Sequence, residues 1–165
     1  MRIGRIFFIG VLLVCLFELA WLWSITPETM AAHFNIQGSP DRFVPKAEFF
    51  RFQVQTLLVV ILVSLPFQFL FLVMPPGYIN MPHREYWLAP ERRAGTLGRL
   101  NSFGIVLFGI ILLDVQAAFE ISAYANLKTP IVFNAPLMSA VMAVSLALII
   151  VMLVLLVLSF RLPQK

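Results

Sequence analysis

Three acids lie inside apolar runs: Glu18, Asp114 and Glu120. A charge at the centre of a bilayer costs at least about 2.5–3.5 kcal/mol on insertion scales, so an intramembrane acid is a functional candidate by default. Counted from Ile6 and from Ser102, where their runs begin, Glu18 and Asp114 each sit about 18 Å deep. The expectation is that they stand level, in the outer half of the membrane. There they have the chemistry to share a proton, hold a cation or line a polar pocket. Gln116 and Glu120 are one turn apart on a different face from Asp114. The plainer reading makes all three acids packing contacts, hydrogen-bonded to neighbouring helices or reaching for the interface. It is strongest for Glu120, near the end of its run.

A second group sits in the polar connection Met30–Lys46: His33, Asn35, Gly38, Pro40, Asp41 and Lys46. Gly38-Ser39-Pro40-Asp41 is a turn signal, because Gly tolerates positive φ, Pro presets φ and Asp can bond its own backbone. These residues are ligand-binding candidates; the plainer reading has His33 bonding within its own loop and Asp41 tightening the turn. His33 and His83 fall in different connections on opposite sides of the membrane, so no shared metal site is expected. Arg92, Arg93 and Arg99 suit anionic headgroups or a cytoplasmic partner, or else set topology at a span end. The single cysteine, Cys15, excludes an intrachain disulfide. No P-loop, G-x-S-x-G, H-E-x-x-H or C-x-x-C occurs, so NTPase and hydrolase chemistry find no support. Neither an enzyme nor a cofactor is expected.

The elements that must carry these residues follow from composition. The 165 residues are 61% hydrophobic and 12% charged, with a mean hydropathy of +0.92. A soluble domain carries about 25% charge, so this chain belongs in a bilayer. The basic residues are scattered at span ends, which excludes a nucleic-acid face. The expected fold is all-α: a single membrane domain over 1–165 with four transmembrane helices at about 6–25, 54–74, 102–121 and 137–160. The first run, of about 20 residues, exceeds the usual 7–15 residue core of a signal peptide and reads as a span. Connections are expected at 26–53, 75–101 and 122–136, with Ala47–Gln55 lying along the interface. Pro66 should kink the second span. Ser139, Ala143 and Ala147 form a small-residue stripe that admits a close helix neighbour, while Leu148–Leu158 is apolar all round and suits lipid.

Eight Lys and Arg residues fall before the first span, in the second connection and after the fourth span; four fall in the first and third connections. The positive-inside rule then places both termini and 75–101 in the cytoplasm, and 26–53 with 122–136 outside as a joint cap.

His33-Phe34-Asn35, Gly38, Pro40-Asp41 and Lys46 together resemble the H-[FW]-N-x-x-G-x-P-D-x-x-x-x-K signature of a bacterial membrane domain family of unknown function. That domain also forms the N-terminal half of SdpI-type bacteriocin immunity proteins. Asn80-Met81-Pro82 and Tyr86-Trp87-Leu88-Ala89-Pro90-Glu91-Arg92-Arg93 look like a second run found in stand-alone members. The likeness covers the first three spans, and the fourth by hydropathy alone. It implies the bacterial cytoplasmic membrane, and a role against a membrane-active peptide with relay to a cytoplasmic partner. The functional expectation is a non-enzymatic binding or sensing module, immunity-like or tied to envelope stress, that meets a peptide ligand outside and a protein partner in the membrane or cytoplasm. The alternatives are a small proton- or cation-coupled transporter subunit using Glu18 and Asp114, and a structural accessory subunit of a larger membrane complex.

Overall fold

The computed structural model describes residues 2–67 and 69–162. Its order is α1 (Arg2–Ile25), β1 (Thr29–Phe34), β2 (Pro40–Pro45), α2 (Lys46–Phe67), α3 (Leu70–Val73), a 3-10 turn (Pro76–Tyr78), α4 (Arg84–Trp87), α5 (Pro90–Ala125) and α6 (Ala135–Ser159). Four of these helices, α1, α2, α5 and α6, are long and apolar enough to cross a membrane. The first connection is a β-hairpin rather than an irregular loop. The second long helix begins at Lys46, not near Val54, so Ala47–Gln55 is already part of it. Pro45 directly precedes it and Glu48 lies in its first turn, where a carboxylate faces the positive end of the helix dipole. Pro66 falls one residue before α2 ends, so it terminates the helix rather than bending its middle.

The central element is α5. Its 36 residues rise about 54 Å, well beyond the roughly 30 Å hydrocarbon core. Against it run α1, in the same direction, and α2 and α6, in the opposite one. The pairings that show this are Gly4 with Ser102 and Phe7 with Gly109 for α1, Phe49 with Phe119 and Phe67 with Phe108 for α2, and Ser145 with Asp114 for α6. The α1–α5 seam is the tightest: a methyl group added at Gly109 would stand 2.5 Å from the Phe7 ring, and one at Gly4 would stand 2.9 Å from Ser102 O. Without a hydrophobic drive between helices in lipid, such small-residue contacts let dispersion hold the pair.

Side chains pack in three clusters along α5. Leu22, Met30, Val44, Phe49, Phe50, Phe119 and Ala123 gather at the hairpin end. Phe8, Val11, Cys15, Leu57, Ile105 and Leu112 fill the middle. Ile79, Leu97, Leu100 and Phe160 close the other end, with Trp87 and Leu156 against them. Met138, Val141, Ser145, Ile149, Met152 and Leu156, at three- and four-residue spacing, are the partly covered positions of α6. Ser139, Ala143 and Ala147 are exposed, so the small-residue stripe faces away from α5.

Gly109→Leu is expected to force α1 off α5 and cost about 1–3 kcal/mol. Gly104→Leu on the same helix, where an added methyl meets nothing within 4 Å, serves as the control. Thermal unfolding in detergent should fall for the first and hold for the second; equal falls would show that the seam is not selective.

Candidate functional site

The hairpin is built by its own turn and seated by three further contacts. Asn35 Oδ1 accepts from the backbone N–H of Gln37 and of Ser39, both at 3.0 Å. Gly38, at φ +79°, donates its N–H to Asn35 O. Gly38 O accepts the N–H of Phe133 at 2.8 Å, and the Phe34 and Phe133 rings stand 5.3 Å apart. The tip therefore rests on the α5–α6 connection, and an added methyl at Gly38 would meet Phe133 O at 2.9 Å. His33 Nδ1 lies 2.6 Å from Asp41 Oδ1 across the hairpin, and both side chains are exposed. Pro40 opens β2, where a missing N–H is tolerated.

Asn126 makes the second contact. Its Oδ1 accepts the N–H of Ala31 at 2.6 Å, and its Nδ2 donates to Ala31 O at 3.1 Å and to Ser122 O at 2.9 Å. One side-chain amide thus acts as a third strand for one residue of β1. Lys46 makes the third. Its buried ammonium donates to Thr26 O at 2.8 Å, just past the end of α1, and sits 5.1 Å from the Trp23 ring centroid and 3.8 Å from Glu28 Oε1. A cation at the negative end of α1 is favourable. Asn35, Gly38 and Lys46 therefore hold the chain together, while His33 and Asp41 remain on the surface.

Beneath the hairpin lies a cavity of about 430 Å³, within the usual range for ligand pockets. Ala32, Arg42 and Val44 form its roof, with Glu48, Phe49, Phe52, Gln53 and Thr56 on α2 and Val115, Ala118, Phe119 and Ser122 on α5. The register of β1 slips at Ala32, which has no partner of its own on β2, and the bulge turns the roof toward the cavity. Arg42 and Glu48 pair at 3.4 Å. Gln53, almost fully buried, donates to Gln116 Oε1 at 3.2 Å behind the wall.

That bond leads to the acids. Glu120 neighbours Gln116 one turn away on its own helix and Glu18 on α1. Gln116 Nε2 is buried with no hydrogen-bond partner among the described residues. Asp114 does not join Glu18; it accepts from Ser145 Oγ on α6 at 2.6 Å. The reason is helical phase. Six positions separate Asp114 from Glu120, about 120° around the axis, so one faces α6 and the other α1. Depth alone could not show this.

At the opposite end Trp87 Nε1 donates to Phe160 O at 2.8 Å, and Thr96 Oγ1 donates to Trp87 O. Arg92 lies 4.0 Å from the Tyr86 ring centroid and Arg99 5.7 Å from that of Trp87; Arg93 is half-buried. His83, left-handed at φ 51°, caps α4 at this end, far from His33. No group of three or more metal-ligating side chains occurs among the described residues. Sequence reasoning missed Asn126 and the Gln53–Gln116 bond; a polar amide in an otherwise apolar window was the available signal for the latter. It also missed Asn101, fully buried on α5 with neither side-chain polar atom partnered among the described residues.

The sequence model of a domain of unknown function (DUF1648) matches residues 10–55, from within α1 through the hairpin into α2. No curated protein and no solved structure matches the chain.

Asn126→Ala strands both polar groups of Ala31. Its expected cost is about 2–3 kcal/mol, with faster amide hydrogen exchange along β1. His33→Ala and Asp41→Ala, at an exposed pair, should each cost under about 1 kcal/mol. Unchanged exchange in Asn126→Ala would mean that the hairpin is held from elsewhere.

Proposed function

We propose that this protein is a non-enzymatic binding module of the bacterial cytoplasmic membrane, with the hairpin end outside, that captures an amphipathic ligand at the membrane–water interface. The observation that carries the reading is the cavity under the hairpin: aromatic walls, a buried amide and a charged pair at the roof. Pockets of this kind, apolar with a few placed polar groups, suit ligands with an apolar body. The orientation is supported by the excess of Lys and Arg away from the hairpin end. An immunity-like or envelope-stress role rests on the resemblance at His33–Lys46. Within that role the motif residues build the site and the cavity walls meet the ligand.

The test is photocrosslinking from benzoylphenylalanine at Phe52, which is 70% exposed at the cavity. The expected result is a discrete adduct, identified by mass, that is suppressed when Ala118→Trp fills the cavity and is missing when the probe replaces Leu58, outside the lining. Identical adducts at Phe52 and Leu58 would sink the reading.

A second reading is a proton- or cation-coupled transporter subunit. It is favoured by the Gln53–Gln116–Glu120–Glu18 line, and it uses Glu120 in place of Asp114 as the partner of Glu18. Flux in proteoliposomes should then be lost in Glu18→Gln with Glu120→Gln and kept in Asp114→Asn. Flux that survives the double change removes this reading.

A further inference from the structure

The cavity is polar at one end and apolar at the other. Arg42 on β2 and Glu48 in the first turn of α2 face each other at 3.4 Å at the hairpin end, Arg42 exposed and Glu48 half-buried. Below them the lining turns apolar through Phe49, Phe52, Val115, Ala118 and Phe119. The eight positions from Glu48 to Thr56 cover about 12 Å along α2. The cavity thus descends from the level where α2 begins toward hydrocarbon depth. Among the described residues, none of α1 or α6 lines it. Its side walls are α2 and α5 alone, and α6 runs along α5 on another face, leaving the cleft open to lipid between them.

We propose that this cavity is a binding site for a phospholipid with an ethanolamine headgroup. Arg42 takes the phosphate, Glu48 takes the ammonium, and the aromatic wall below takes the upper part of an acyl chain. The inference rests on the reading of this cavity as the ligand site. Charge complementarity selects the headgroup. One guanidinium and one carboxylate side by side match a zwitterion whose two charges are a few bonds apart. The planar guanidinium suits phosphate oxygens in a bidentate fork. A primary ammonium can donate hydrogen bonds to Glu48, whereas a choline nitrogen has no N–H to donate. A glycerol headgroup brings the same phosphate for Arg42 but no cation to meet Glu48, which is then left beside the phosphate without a partner. The Arg42–Glu48 pair is long and exposed, so parting it to admit the headgroup costs little.

The experiment is native mass spectrometry of lipids retained by the full chain released from nanodiscs. One set holds phosphatidylethanolamine and phosphatidylglycerol in equal parts, the other phosphatidylethanolamine and phosphatidylcholine. Retained ethanolamine lipid should exceed either competitor about fivefold, the ratio that one exposed ion pair supplies. Arg42→Ala and Glu48→Ala should each return it to the bulk ratio, with thermal unfolding held in Arg42→Ala and lowered only slightly in Glu48→Ala, which also loses a carboxylate from the first turn of α2. The bulk ratio in the unaltered protein, or enrichment that survives both changes, overturns the proposal. If the Phe52 probe still gives its discrete adduct while the lipid ratio is that of bulk, the headgroup assignment fails and the cavity reading stands. If the adduct is missing as well, both fall.

Discussion

One side-chain amide decides where the hairpin sits. A strand that borders a bilayer with one partner strand leaves backbone groups in need of bonds, and an unpaired group in an apolar setting costs as much as a lost hydrogen bond. Asn126 supplies both halves of that need to Ala31, from just past the end of α5. The geometry of an amide imitates a peptide group, so β1 is bonded on both edges at that point. The position of Ala31 fixes Met30 in the aromatic cluster with Phe49, Phe50 and Phe119, and brings Ala32 over the cavity. Lys46 completes the frame by tying the start of α2 to the carbonyl of Thr26. The three helices α1, α2 and α5 are thereby locked together at one end by two polar side chains.

The four long helices were legible because their signal is additive: some twenty apolar residues in a row outweigh any single polar one. The hairpin was not. Thr29-Met-Ala-Ala-His-Phe34 has no strict alternation and its β formers, Thr29 and Phe34, stand only at its ends, while its outer edge is bonded at Ala31 by an asparagine 95 positions away. Gly38 and Asn35 were recognisable as turn residues, but the turn alone did not tell whether strands flanked it. The same limit applies to the acids. Depth follows from counting, whereas the partner of each acid depends on which face of α5 looks at which helix. Glu120 therefore found Glu18, and Asp114 found a serine on α6.

The residues of the loop motif and the residues of the cavity are different sets. Asn35, Gly38 and Lys46 spend their polar groups inside the fold, and His33 with Asp41 adds an exposed bond across the hairpin. On the proposed reading, such a division separates what builds the hairpin from what recognises a ligand. Arg42, Phe52 and Ala118 belong to the second set, so changes among them leave the turn undisturbed.

α5 joins the two ends of the molecule without a break. Asn126, immediately past its last residue, grips the hairpin; Arg92 and Arg93, in its first turn, lie at the other end, Arg92 against Tyr86. Its interior has no proline, the usual cause of a sharp kink, and its four glycines lie within continuous helix. Mechanically it is a strut rather than a hinge. Under the proposed reading, a tilt that an occupant of the cavity imposed on Ala31 would travel along this rod, whose length of about 54 Å exceeds the hydrocarbon core.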